Sequence, residues 1–546
     1  MKPVYRILLF FLLTQLLYFS TREAGFVTDY TGLMERFEGQ SFLGVFNSFG
    51  FPALQPVFNF FLYSFHWAFG VTGIGWYFMY TGMHVLNAEL LYRWIQAMQQ
   101  NFPFKNAVFI GLSASLFFLL SPYQTEALVW RVCFNFLLST CWIMLSLLFL
   151  THWLSTQKVK FLLWANLVFL LALFSFELAL MIPFMGILLV LFGAATNKEN
   201  PLRKLAILAI PQFILIGLYF LLNRILLGAW VGHYGADVHL RMEVSEILGN
   251  FFRFGLKLGA FLRYFDHSTK EMVFAWFDNS WLLYSLVGLF GLLIAWGLMR
   301  FQRLQPRLRL LGLSLALFGL SLLPVINLYF NYLFYIENDR YSYLASAFFF
   351  TALAIGLSFL PRLLRWGAML AFCLTSVVLL WQTNQYWAKS TQVYFSLLED
   401  FRWYDEKEVF VLAMPDNYYG ANLFRNFSGD GIGLKDALKY IQQKPVDAKF
   451  HEIALYNMTD PEDGVHVQTD SIGNLKVEFN HYGSWWWRKG QGATNYETDQ
   501  YRFINEGHHY RLEWKQKPGN AVMIYQVGGK WAVVRDRVDH PTDNGQ

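Results

Sequence analysis

Charge is scarce in this chain, and cysteine is scarcer. Of 546 residues 15% are charged, against 55% hydrophobic and 19% aromatic. So little charge excludes an ordinary soluble globule and an intrinsically disordered chain alike. The three cysteines, Cys133, Cys141 and Cys373, all fall inside apolar runs, so neither a disulfide framework nor a metal spacing is implied. Acids are also unevenly placed: sixteen of the 38 precede Gln385. The chain therefore divides into an apolar part, residues 1–385, with polar loops at 20–70 and 228–280, and a water-soluble part, residues 386–546. The net charge of +5 is too dispersed to suggest nucleic acid as a partner.

Long apolar runs are what the first part has instead. They fall near 3–19, 71–95, 104–120, 127–151, 159–175, 178–195, 205–227, 281–299, 309–328, 341–360 and 366–383. Each is long enough to cross about 30 Å of hydrocarbon as a helix, giving about eleven spans. The opening "MKPVYRILLFFLLTQLLYFS" has a basic start and an apolar centre, but "TREAGF" after it offers no small-x-small cleavage site, so it reads as a retained first helix. Lys105, Lys158, Lys160, Lys198, Arg203, Lys204, Arg300, Arg303, Arg307, Arg309, Arg362 and Arg365 lie in loops of one side. The positive-inside rule makes that side and the N-terminus cytoplasmic. Fourteen of the sixteen early acids then face outward, which suggests an outward-facing polar site. The segment 246–265, with Arg253, Lys257 and Arg263, reads as an interfacial or re-entrant helix whose basic side chains sit near lipid head groups, the alternative being a helix packed on the outer domain.

Four short stretches at outer helix ends carry candidate chemistry: "FVTDYTG", "SPYQTEALVWR", "FSFELALMIP" and "NDRYSYL". Singly, Asp29 and Glu126 suit helix N-termini, Glu177 a turn, and Arg340 an interfacial anchor. The stretch 381–406, "WQTNQYWAKSTQVYFSLLEDFRWYDE", reads as an amphipathic helix on the membrane surface, followed by strand-like runs "EVFVLAMP", "HEIALYNM", "NLKVEFN", "YRLEWK" and "AVMIYQ". These predict a small β-rich α+β domain on the outer side. "SWWWR" places three tryptophans in sequence, of which alternation along a strand turns at least one outward; core packing with one membrane-edge aromatic accounts for the run, and a sugar ring or acceptor stacking there is the alternative.

Taken together the stretches resemble a family. "SPYQTEALVWRVCFNFLLS", "ALFSFELALMIPFMGILLVL", "NDRYSYLASAFFF" and "QPVFNFFLYSFHWAFGVTGIGWYFMYTGMHVLNAELLY" are similar to four segments of the transmembrane-and-TPR O-mannosyltransferases and their bacterial relatives, across residues 26–350. The resemblance covers the membrane half, and no TPR array follows. It implies a glycosyltransferase C fold: an all-α polytopic bundle followed here by the β-rich α+β extracytoplasmic domain. It also implies an inverting transfer of a sugar or glycan from a polyprenyl-phosphate donor to a protein or envelope-glycan acceptor. An integral protein of a bacterial inner membrane, its C-terminal domain periplasmic, is the location that follows.

Such enzymes resemble one another in a catalytic acid of the first outer loop, the position of Asp29. A carboxylate near an apolar boundary has raised proton affinity and suits a general base. Arg340, with its planar donor fork, is the first candidate for the donor phosphate; Arg131, Arg263 and Lys270 follow. Glu126, Glu177, Asp339, Tyr343 and His267 are supporting polar candidates. No cofactor is implied. Asp29 with Asp339 or Glu126 could hold a divalent cation, although no ligand spacing demands one. The chain departs from the family where a paired "DD" becomes Asp29-Tyr30 and "SKE" becomes Ser175-Phe176-Glu177. A flippase for lipid-linked glycan and a non-catalytic scaffold are the alternatives, the first requiring polar residues such as His84 and Glu89 to continue through the bundle.

Overall fold

In the computed structural model, the described residues are 2–47, 54–193, 201–230, 244–279, 281–285, 288–289, 305–326, 338–424, 433–480, 484–488, 491–492 and 494–534. Among them, five helices are long and apolar enough to cross a membrane: Pro3–Thr21, Arg131–Thr156, Pro201–Leu227, Asp339–Leu357 and Arg362–Asp400. A sixth span results if Ala107–Leu120 and Pro122–Val129, bent by 58°, are one. Val159–Leu173 and Glu177–Gly193 are shorter apolar helices. The chain is an integral membrane protein, because a helix satisfies all its backbone polar groups internally where lipid offers no partners. The expected span at 281–299 lies largely outside the described residues.

The chain forms two compact units, Met1–Glu23 with Gly39–Asn384, and Ala24–Glu38 with Gln385–Gln546. Two boundaries differ from the sequence expectation. The span expected at 127–151 starts as a regular helix only at Phe134, since residues 122–133 form two 3-10 turns and one short helix after Pro122, with Trp130 extended between them. The surface helix expected over 381–406 is no separate element, because one helix runs from Arg362 to Asp400 without a proline or glycine break near residue 385.

In the first unit Trp76, Trp94, Trp130, Tyr18, Tyr80 and Tyr123 are fully buried. Polar groups inside it close on one another. Arg6 donates to both oxygens of Glu89, at 2.7 and 2.6 Å, and Arg93 adds a third bond at 2.7 Å. His84 Nδ1 meets the Tyr343 hydroxyl at 2.7 Å, to which Asn87 donates at 3.2 Å. Such closure is required, since an unpaired charge or amide in an apolar interior costs several kcal/mol.

The second unit is built on β-sheets. Its strands are β1 (Glu408–Tyr418), β2 (Ala421–Asn422), β3 (Lys449–Met458), β4 (Val465–Thr469), β5 (Leu475–Phe479), β6 (Ser484–Arg488), β7 (Gln491–Gly492), β8 (Tyr496–Glu497), β9 (Tyr501–Asn505), β10 (His509–Trp514), β11 (Ala521–Val527) and β12 (Lys530–Val533). One sheet has the order β12-β11-β1-β3-β6-β7, with β2 paired to β1; the other runs β4-β5-β10-β9-β8. All five strand-like runs of the sequence are strands. β1 is parallel to both β3 and β11 and buried along nearly its whole length, which is why it reads as a continuous apolar run. β11 alternates between buried and half-buried positions, as a strand with one solvated face does. Trp486 and Trp487 pair with Tyr456 and Leu455 through β6; the side chains of the tryptophan run lie outside the described residues.

Residues 24–38 belong to this unit. Their helix, Asp29–Phe37, packs on the helix Gly433–Tyr440, and Glu38 is bound by Lys439 at 3.4 Å and the Tyr440 hydroxyl at 3.2 Å.

Candidate functional site

Two loops of the first unit converge on one carboxylate. Pro122 has no N–H to offer a regular helix, and the chain after it breaks into short turns that bury Glu126 at 1% exposure. Asn338 stands in the left-handed region, φ 70°, a conformation that asparagine tolerates better than other side-chain-bearing residues. That turn aims the N–H groups of Asn338 and Arg340 at Glu126, at 3.2 and 2.8 Å. The Arg340 guanidinium completes the set as an ion pair. Glu126 thus ties together segments 212 and 214 positions apart instead of only capping its own helix. Arg340 also lies over the rings of Trp130 and Tyr341, 5.0 and 4.6 Å from their centroids.

Asp339, the next residue along, is fully buried and holds two cations. Lys257 Nζ is 2.6 Å from Oδ1, and the Arg263 guanidinium meets both oxygens. Both cations also face the Tyr123 ring, at 5.3 and 4.6 Å from its centroid. Tyr264 lies 6.4 Å from Tyr123, ring to ring, and its hydroxyl meets Thr383 at 2.6 Å. This corrects the expectation for segment 246–265. Lys257 and Arg263 are buried, at 1% and 7% exposure, and do not reach toward head groups, because Asp339 supplies the countercharge that makes burial tolerable. Arg253 donates to Asn250 at 3.1 Å. Lys270, on the helix His267–Asp278, is half-buried. Burial first, then the nearby charge of Arg263, holds it below the usual lysine range. The side chain of His267 lies outside the described residues.

The structure therefore brings Glu126, Asp339, Arg340 and Arg263 into one cluster and adds Lys257, a charge of the segment 246–265 that is not among the site candidates of the sequence. A lysine inside an apolar helix was itself the signal, since it demands an acid from elsewhere. The other candidates have different surroundings. Arg131 is buried and donates to the Arg22 carbonyl at 3.1 Å, while its own carbonyl accepts from Tyr80. Glu177 accepts from Gln55 at 3.1 Å. Tyr343 belongs to the His84 network. Asp29 begins its helix in the second unit, directly after Thr28 at φ 52°. Positive φ is costly for a β-branched residue. Among the described residues no three His, Cys, Asp or Glu side chains converge as a metal site.

Chemically, the cluster sets three cations, Lys257, Arg263 and Arg340, against two carboxylates. It carries one positive charge in excess inside an aromatic shell where screening by water is weak.

No protein-family model matches the chain, and no curated protein does. Among solved structures, it is similar to the oligosaccharyltransferase of Archaeoglobus fulgidus in its apo form, at a TM-score of 0.41 and 11% identity over 88% of this chain and 75% of that one. It is also similar to ArnT from Cupriavidus metallidurans. In the apo state the TM-score is 0.37, with 13% identity over 81% and 89%. With undecaprenyl phosphate bound it is 0.34, with 12% identity over 87% and 98%.

Proposed function

We propose that this membrane protein is an inverting glycosyltransferase of C-type fold that moves a sugar or glycan from a polyprenyl-phosphate carrier to an acceptor hydroxyl on the outer face of the membrane. The observation that carries the reading is the buried cation excess around Asp339 and Glu126. As the anomeric C–O bond to the carrier breaks, the electron pair leaves with the phosphate. A preorganised positive site stabilises that charge where it develops. Lys257, Arg263 and Arg340 are the residues we assign to it, with Lys270 beside them and Arg131 as a secondary candidate. The acceptor oxygen bonds to the anomeric carbon, and its proton passes to a carboxylate. Asp29 is our assignment for that base, on the strength of its first-loop position and the family resemblance. The sequence further supports a cytoplasmic N-terminus and a periplasmic second unit. Against a transport path, Glu89 is closed by Arg6 and Arg93, and His84 by Tyr343.

The test is transfer by the purified chain in vesicles, from a radiolabelled polyprenyl-phosphate sugar to protein and envelope-glycan acceptors. Asp29→Asn should lower turnover by about 10²–10⁴-fold, the scale of a lost general base. Glu35→Gln and Glu38→Gln, at exposed positions toward the other end of the same helix, should leave it near wild type. Arg340→Lys should weaken donor use, because an ammonium lacks the planar fork. Absence of transfer by the wild type with every donor would sink the reading, and a wild-type rate for Asp29→Asn would remove the base assignment.

A further inference from the structure

The end of β1 is built in a way that packing alone does not explain. Tyr418 pairs with Ala421 across a two-residue hairpin loop, whose residues Tyr419 and Gly420 both have positive φ, 49° and 86°. That geometry favours asparagine or glycine at its first position, and an aromatic residue there pays a strain of roughly 1–2 kcal/mol. The ring carried by this strained backbone is not buried, since Tyr419 is 41% exposed. It stacks on Tyr386 at 4.6 Å and 21°, with Tyr418 edge-on to it at 5.2 Å and 84°.

Polar groups at the ends of the parallel strands sit beside this platform. Asn417 donates to Asp416 and Asn457, each at 2.6 Å, and accepts from Gly420 N–H at 2.8 Å. After β3, the buried Asp463 carboxylate holds the N–H groups of Thr459 and Asp460 at 2.7 and 2.9 Å. Its second oxygen has no protein partner among the described residues. Asp460 is exposed, and the charges of Asp460 and Asp463 are felt at both Tyr418 and Tyr419.

An exposed aromatic face with a carboxylate and amides next to it matches one ligand chemistry well. The C–H face of a pyranose packs on the ring, and its hydroxyls donate to the acid. We infer that this edge of the second unit is a carbohydrate-binding site, in which Tyr419 carries the sugar ring, Asp460 accepts from its hydroxyls, and Asp463 is a positioning residue for the 459–460 turn. Binding requires neither donor nor turnover, so this inference and the transfer reaction stand or fall separately.

The experiment uses the full chain in nanodiscs, titrated with the linear tetrasaccharides of glucose, mannose and N-acetylglucosamine and read by saturation-transfer NMR. At least one should bind saturably at millimolar concentration. Tyr419→Phe keeps the ring and should bind within about 2-fold of wild type, whereas Tyr419→Asn removes it and should bind about 10-fold more weakly, the upper scale of an aromatic contact. Asparagine suits the turn, so Tyr419→Asn should melt no lower than wild type; a merely structural tyrosine would show lower melting with unchanged binding. No binding of any of the three sugars, or equal binding by wild type and Tyr419→Asn, overturns the inference. Calcium titrated alone is the further arm: binding of calcium lost in Asp460→Asn, with no sugar bound, would make the edge a cation site and overturn it too.

Discussion

Two ion pairs of the same chemical kind and nearly the same length set the two units apart. Lys257 and Asp339 are 2.6 Å apart in the first unit, with 1% and 0% of their side chains exposed. Lys515 and Glu497 are 2.5 Å apart in the second, with 41% and 56% exposed. Distance does not distinguish them, and solvent does. Around Lys515 water can replace either partner; around Asp339 the two buried cations are held away from water, and the carboxylate carries most of their compensation. The first pair therefore belongs to a device that the fold must keep intact, and the second to an ordinary wet surface.

The largest expected effect comes from breaking the buried side. Asp339→Asn preserves shape but leaves Lys257 and Arg263 without their carboxylate. Removing one partner of a buried pair costs about 3–5 kcal/mol. A fall in melting temperature on the order of 10 °C is expected in the purified, detergent-solubilised chain. A melting temperature equal to wild type would mean that the cations are satisfied elsewhere, and the comparison would lose its first term.

This contrast also marks what sequence reading could reach. The apolar runs were legible because a span must be long and uniformly apolar, and strands such as "NLKVEFN" because their alternation is local. The pairing of Lys257 with Asp339 joins positions 82 apart, and that of Glu126 with Arg340 positions 214 apart. No local pattern encodes either. The break at 122–133 was hidden because "ALVW" is as apolar as a span. The docking of residues 24–38 on the helix Gly433–Tyr440 was hidden for the same reason of distance. Asp29 could be picked out by its place in the first loop, but nothing near it in sequence says which unit holds it.

Asp436 is the intermediate case, a carboxylate half-exposed in the second unit. Burial, then the charge of Glu35 on the helix packed against it, pushes its pKa up to about 6, while Lys435 and Lys439 pull the other way. The folded state thus binds the proton more tightly than the unfolded state. Stability contributed by that proton is fully present below the unfolded value, about 3.9, and is lost as pH rises through about 6. Discounted for its exposure, the effect is on the order of 1 kcal/mol. Asp436→Asn should flatten the difference in melting temperature between pH 4.5 and pH 7 and melt higher than wild type at pH 7. An unchanged pH slope in the variant would show that water already screens this acid as completely as it does Glu497.

The smallest expected effect tests the other end of the comparison. Lys515 pairs with Glu497 and also donates to the Thr498 carbonyl at 2.7 Å, so its polar contacts are about as short as the one between Lys257 and Asp339. If geometry set the energy, Lys515→Ala would be an equally damaging change. Exposed pairs, however, gain little over their hydration, lose side-chain freedom when they form, and are screened by salt. Lys515→Ala should therefore leave the melting temperature indistinguishable from wild type at both low and high salt. Asp339→Asn should stay destabilised across the same range, because ions in solution do not reach a dry site. A salt-dependent loss in Lys515→Ala comparable to that of Asp339→Asn would place the second unit's surface charges in the same class as the first unit's core, and burial would no longer separate the two.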